Sequence, residues 1–194
     1  MAFAVGVDLG QAADYSTVAV VRTAGDELHL VHLHRFPLNT DYTAVVDGIV
    51  DIYKDPRLEV EGQPPSLTID ETGVGRAVSD LLLGSGTPFY AVTITSGGTP
   101  RPYDTRGSRV SWRVPKTTLV EALEQPFRLG DLKVANSLHW GPALGEELRN
   151  FRRKVNQKTA HVRYEHDRAG DKDDLVLASV LACWRSKADV RLAG

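Results

Sequence analysis

At 194 residues, with 42% apolar and 25% charged content, the chain is long enough to bury one full hydrophobic core, and its composition excludes an extended disordered or collagen-like protein. A formal net charge of −2 and a pI near 6.3 exclude a uniformly basic surface, so any nucleic acid must be held by local patches. The single cysteine, Cys183, cannot close an internal disulfide and no run approaches the roughly 20 apolar residues of a membrane span, so a soluble cytoplasmic protein without membrane contact is expected.

The N-terminal third reads as a three-strand meander. Phe3 to Asp8 is apolar, Thr17 to Arg22 is β-branched, and Glu27 to Phe36 alternates, with Gly25-Asp26 as the turn between the last two. Val45, Val46, Ile49, Val50 and Tyr53 recur at helical spacing, which predicts a helix from about Asp41 to Tyr53, capped by Asn39 or Thr40 and ended by Pro56. Leu67 to Asp70 is short and apolar, as a central strand should be, and a helix from about Val74 to Leu83 follows, closed by Gly84. Phe89 to Ile94 is a further strand. The segment Ser96 to Gly107, rich in Gly and Pro, is expected to be a mobile arm that orders over a bound nucleic acid. Pro115-Lys116 opens a helix to about Phe127, Leu132 to Val134 is a strand, Pro142 to Phe151 a helix, Ala160 to Tyr164 a strand, and Asp173 to Lys187 the last helix. Strands alternating with helices after a meander predict an α/β protein with a mixed sheet, in one domain spanning residues 1–194.

Three aspartate-bearing segments carry the chemistry: Val5-Gly6-Val7-Asp8-Leu9-Gly10, Leu67-Thr68-Ile69-Asp70-Glu71-Thr72-Gly73, and Asp171-Lys172-Asp173-Asp174. Asp8 and Asp70 end apolar runs. Asp8 is expected on the same buried face as Val5 and Val7, where a carboxylate needs a partner. Glu71 beside Asp70 adds a second acid, and Gly73 and Gly75 allow something to approach the backbone. At the third segment, Asp174 shares a helical stripe with Ala178 and Leu181 and is expected to point inward with Asp173 in support, the small Ala178 letting the helix come close to the sheet. Acids here could instead cap strands and helices. Gathered together, however, they would repel one another without a cation. Oxygen-only ligands suit two Mg²⁺ or Mn²⁺ ions, and no paired Cys or closely spaced His suggests zinc. His166, just before the acidic turn, is a candidate to orient water or phosphate.

With VGVDLG, IDETGVG, VPKTTLVEALEQPFRLGDLKV and KDDLVLASVLACW in this order, the chain resembles the C-terminal nuclease domain of the large terminase subunit of tailed bacteriophages. The resemblance spans nearly the whole chain, and the last segment is its most specific part. It implies a ribonuclease H-like fold, its first three strands antiparallel and its sheet flanked by helices, and a divalent-metal-dependent endodeoxyribonuclease that cuts concatemeric viral DNA during packaging. Asp8, Asp70, Asp173 and Asp174 would be the metal-binding acids, with Asp171, Glu71 and His166 in support. It also implies double-stranded DNA, a packaging ATPase domain, a portal and a small terminase subunit as partners. The chain has no Walker-type phosphate loop, so it is expected either to be the nuclease half alone or to work outside packaging.

Positive charge concentrates in two segments. Arg101, Arg106, Arg109, Arg113 and Lys116 lie among Tyr103 and Trp112, while Arg149, Arg152, Arg153, Lys154, Lys158 and Arg163 lie among Phe151, His161 and Tyr164. Arg152, Arg153, Lys154, Lys158, Arg101 and Arg106 are the expected phosphate contacts. Alternative readings are a Holliday-junction resolvase on the same fold, a nucleotide-binding half resting on Asp8-Leu9-Gly10, and a non-catalytic packaging-motor docking module.

Overall fold

The computed structural model describes residues 1–10, 14–73, 75–155, 162–166 and 172–192; for residues 152–155, 162–166 and 188–192 the backbone alone is described. Strands β1 (Ala2–Asp8), β2 (Thr17–Ala24) and β3 (Glu27–Arg35) form the expected antiparallel meander. Helix α1 (Tyr42–Tyr53) follows, and β4 (Ser66–Asp70), α2 (Gly75–Gly84) and β5 (Phe89–Thr95) continue the chain. Residue 41, not Asn39 or Thr40, is the N-cap of α1, and no side chain caps it. The preceding turn uses both expected residues: Thr40 Oγ1 donates to the Pro37 carbonyl at 2.7 Å, and Asn39 takes a φ of 64°.

The segment from Ser96 to Gly107 departs from expectation. It contains a strand, β6 (Arg101–Arg106), which pairs antiparallel with β7 (Arg109–Pro115), and β7 in turn lies parallel to β5. Every residue of β6 is exposed, so it has no buried face to impose an apolar period. Pro102 is tolerated because an edge strand can spare a ladder donor. Helix α3 (Lys116–Leu129) has Pro115 as its N-cap, and β8 (Leu132–Val134) adds parallel to β3. After α4 (Gly141–Asn150), an unanticipated strand β9 (Phe151–Val155) pairs with β10 (Val162–His166) in a separate two-stranded ribbon. Helix α5 (Asp174–Leu192) ends the described chain. Among the described residues no helix is long and apolar enough to cross a membrane.

The main sheet has the strand order β6-β7-β5-β4-β1-β2-β3-β8. One face packs Val5, Val7, Val18, Val20, Leu67 and Ile69 against α1 and α2. The other packs Ala19, Val21, Leu30 and Val92 against α3, α4 and α5. A helix layer on each side of a mixed sheet fixes the position of the acids, because α5 lies across β1, β2 and β4.

Candidate metal centre

Strands β1 and β4 are neighbours and parallel, with Val7 beside Ile69. The next residue of each, Asp8 and Asp70, therefore reaches the same end of the sheet, and both are buried. Side chains alternate along a strand. Val5 and Val7 face α1 and α2, so Asp8 goes with Gly6 toward α5. The expectation that Asp8 shares a face with the two valines is thus corrected by strand periodicity itself.

Helix α5 brings the third acid. A Cβ on Gly6 would stand 2.2 Å from the Ala178 carbonyl oxygen and 2.5 Å from the Ala182 nitrogen, so only glycine lets the helix backbone rest directly on β1. Asp174 lies one turn before Ala178, is 5% exposed, and its carbonyl accepts a 2.7 Å hydrogen bond from Thr17 Oγ1 on β2. Its Oδ2 is buried with no hydrogen-bond donor among the described residues. Gly75, the first residue of α2, serves a similar end against β4, since a Cβ there would meet the Asp70 carbonyl oxygen at 2.0 Å. The close approach that this glycine permits is to Asp70 itself.

These carboxyls feel one another. Burial pushes the Asp8 carboxyl well above the usual carboxylate range, and Asp70, Asp174, Asp173 and Glu147 push it further. Burial also raises Asp70, against the hydrogen bond that Thr72 N–H donates to Oδ1 at 2.7 Å and the positive charge of Lys116. Asp174 is raised by burial, against the attraction of Arg35 and Lys172. Asp8 is the hub that couples the three segments.

Glu71 is placed apart. Its Oε1 accepts from Arg109 Nη1 at 3.1 Å, and the same nitrogen lies 3.4 Å from Ser79 Oγ on α2. Both ends of that pair are buried, so Glu71 is committed to an ion pair beneath α2. Arg101 and Arg106 are exposed on β6, the edge strand beyond β7, β5 and β4 from β1. Arg152, Arg153 and Lys154 lie on β9 and His166 ends β10, known here by backbone alone; Asp171 and Lys158 lie outside the described residues.

Sequence reasoning missed Glu147 and Arg35. Glu147, on α4, is buried and accepts at Oε2 from the amides of Leu175 (2.9 Å) and Val176 (3.2 Å), the first turn of α5, while Oε1 is held by the Arg35 guanidinium. Arg35 lies over the rings of Tyr15 and Trp140, 4.5 and 5.1 Å from their centroids. An acid sharing the stripe of Leu144 and Leu148 was the available signal. Lys116 reads in the sequence only as part of a basic segment, not as the cation that lowers Asp70.

Among the described residues no three His, Cys, Asp or Glu side chains are already gathered tightly enough to hold an ion. The donor set nevertheless fits a hard divalent cation: oxygen atoms only, buried, mutually repelling, one of them with no donor.

No protein-family model and no curated protein matches the sequence. Solved structures do match. The magnesium-bound large terminase nuclease of thermophilic phage G20c aligns over 94% of this chain and 80% of its own, with a TM-score of 0.64 and 21% identity. The fold is that of the terminase nuclease domains. The manganese-bound large terminase nuclease domain of bacteriophage SPP1 shares this ribonuclease H-like fold over 96% of this chain and 87% of its own, at a TM-score of 0.58 and 10% identity. The human cytomegalovirus terminase nuclease domain aligns over 94% of this chain and 82% of its own, at a TM-score of 0.55 and 16% identity. A terminase-type nuclease fold thus accounts for the described chain from β1 to α5.

Proposed function

We propose that this chain is the metal-dependent endonuclease unit of a phage terminase large subunit, one nuclease domain that hydrolyses phosphodiester bonds of concatemeric viral DNA during packaging. The observation that carries the reading is the buried Asp174 Oδ2 without a donor, set beside Asp8 and Asp70 at one end of the sheet. A structural cap would have its acceptors filled; this carboxylate does not.

Asp8, Asp70 and Asp174, with Asp173 beside them, would hold Mg²⁺ or Mn²⁺, as two ions in the fullest form of the site. Such ions supply an activated water and neutralise charge on the scissile phosphate. The chain's own residues do the rest. Thr17 and Glu147 fix the start of α5, Thr72 orients Asp70, and Lys116 offsets the negative charge that Asp70 adds. Burial of the carboxyls excludes bulk water and raises the proton affinity of Asp8. Arg101 and Arg106 on β6 and the basic residues of β9 would hold double-stranded DNA by its phosphates without reading sequence. A packaging ATPase domain, a portal and a small terminase subunit would be its partners, in host cytoplasm.

Supercoiled plasmid incubated with the chain in Mn²⁺, Mg²⁺ or EDTA, beside an identically purified Asp70→Asn variant, tests the reading. Nicking and linearisation should require metal and be lost in the variant. Equal cutting by both proteins would refute the assigned site, and absence of cutting despite bound Mn²⁺ would refute the activity.

A further inference from the structure

We propose that Glu147, held by Arg35, is a positioning residue that caps α5 from outside and so sets Asp174 in place for metal. The inference rests on the nuclease reading and deepens it.

A helix leaves its first amides without intrahelical partners, and the residue just before the helix ordinarily satisfies those of the second and third positions with its own side chain. In α5 the first helical residue is Asp174. The cap position therefore falls on Asp173, a residue type well suited to filling it. The amides in question are those of Leu175 and Val176, and both donate to Glu147 Oε2, at 2.9 and 3.2 Å. An acid on a different helix, 28 and 29 residues upstream of the two amides, takes the place of the local cap.

Three further observations make this a built arrangement. Glu147 is 6% exposed, so its charge cannot be left to solvent. Its second oxygen is held by Arg35, whose guanidinium is fixed over Tyr15 and Trp140. And Asp174 Oδ2, at the very turn being capped, is buried without a donor, as a carboxylate reserved for an external cation would be. Aspartates at a helix start tend to fold back onto the nearest amides. With those amides held by Glu147, Asp174 keeps its Oδ2 without a donor.

Groups that orient metal-binding acids typically change metal affinity by roughly 10- to 100-fold when removed. Calorimetric Mn²⁺ binding to the full chain, compared with Glu147→Ala and Glu147→Gln, tests the assignment, with circular dichroism establishing that each variant is folded. Glu147→Ala should bind Mn²⁺ at least tenfold more weakly. Glu147→Gln retains an acceptor for the two amides and should recover most of that loss, and it also serves if the alanine variant does not fold. Mn²⁺ affinity unchanged in a folded Glu147→Ala, or equally poor in both variants, would overturn the positioning role while leaving the nuclease reading intact. A wild-type chain that binds no Mn²⁺ would overturn both.

Discussion

Asp8 and Asp70 stand side by side at the ends of two parallel strands, one residue beyond the Val7 and Ile69 pair. Burial raises the proton affinity of both carboxyls, and the charge of Asp70 raises that of Asp8 further. The chain tolerates this cost because α5 is anchored above them by Thr17 and Glu147.

The first consequence concerns pH. Carboxyls raised above their unfolded value near 3.8 hold protons in the folded chain that the unfolded chain has lost. They favour folding at low pH, and that contribution is lost as pH rises from about 3.8 through the raised folded values. In metal-free buffer, Asp8→Asn should therefore melt higher than wild type at pH 7 to 8, by about 2–4 °C for each kcal/mol recovered. Added Mn²⁺ should raise wild type and leave the variant unmoved. Thermal melts in EDTA and Mn²⁺ across this range check both halves; an Asp8→Asn chain that melts lower than wild type in EDTA would contradict the burial argument.

The contact between β1 and α5 makes a sharper demand. Gly6→Ala places a methyl group 2.2 Å from the Ala178 carbonyl oxygen, which is helix backbone and cannot swing aside. Overpacking of this kind costs about 1–3 kcal/mol, and more where backbone must move. Urea denaturation should show at least that loss, and Mn²⁺ affinity should fall with it, because Asp174 rides on the same helix. A variant of wild-type stability would mean that α5 does not rest on β1.

Glu71 should separate from the site acids in a metal titration. Its partner Arg109 is buried with it, so Glu71→Gln ought to leave Mn²⁺ affinity within about threefold of wild type. Arg109→Met, which strands the buried Glu71 charge, should cost on the order of 3–5 kcal/mol of stability. A large loss of metal affinity in Glu71→Gln would add Glu71 to the ligand set.

Much of this was legible in the chain, for reasons that differ by element. The meander, the central β4 and the stripe of α1 each carry a buried face, and a buried face imposes a period. Strand β6, Arg101–Arg106, carries none because it is exposed on both sides, and its glycine- and proline-rich approach reads as loop. Asp8, Asp70 and Asp174 announce themselves by ending or beginning apolar runs. Glu147 is less plain: it shares the stripe of Leu144 and Leu148 but sits beside Glu146 in a mixed helix, and the tertiary fold buries the one acid and exposes the other. The expected face of Asp8 is off by one step of a two-residue period, an error that turns a side chain to the opposite side of a sheet.

The DNA contact proposed for strand β6 is open to a direct test. Arg101 and Arg106 are exposed at the sheet edge, and each phosphate neutralised adds about 0.9 to the salt dependence of binding to duplex DNA. Replacing both with Ala should weaken binding to unrelated duplexes alike and reduce the log–log salt slope by about 2, measured by fluorescence anisotropy from about 50 to 200 mM salt. An unchanged slope would place the DNA elsewhere, with the ribbon of β9 and β10 the next surface to examine.

The central claim is that Asp8, Asp70 and Asp174 hold a divalent cation at one end of the sheet. Crystals of the chain soaked in Mn²⁺ and measured for anomalous scattering address it most directly. The account predicts an anomalous peak ligated by oxygens of Asp8 and Asp174, absent in crystals of Asp174→Asn grown alike. Soaked crystals with no peak at these carboxylates, and Asp174 Oδ2 satisfied by a protein donor, would contradict it.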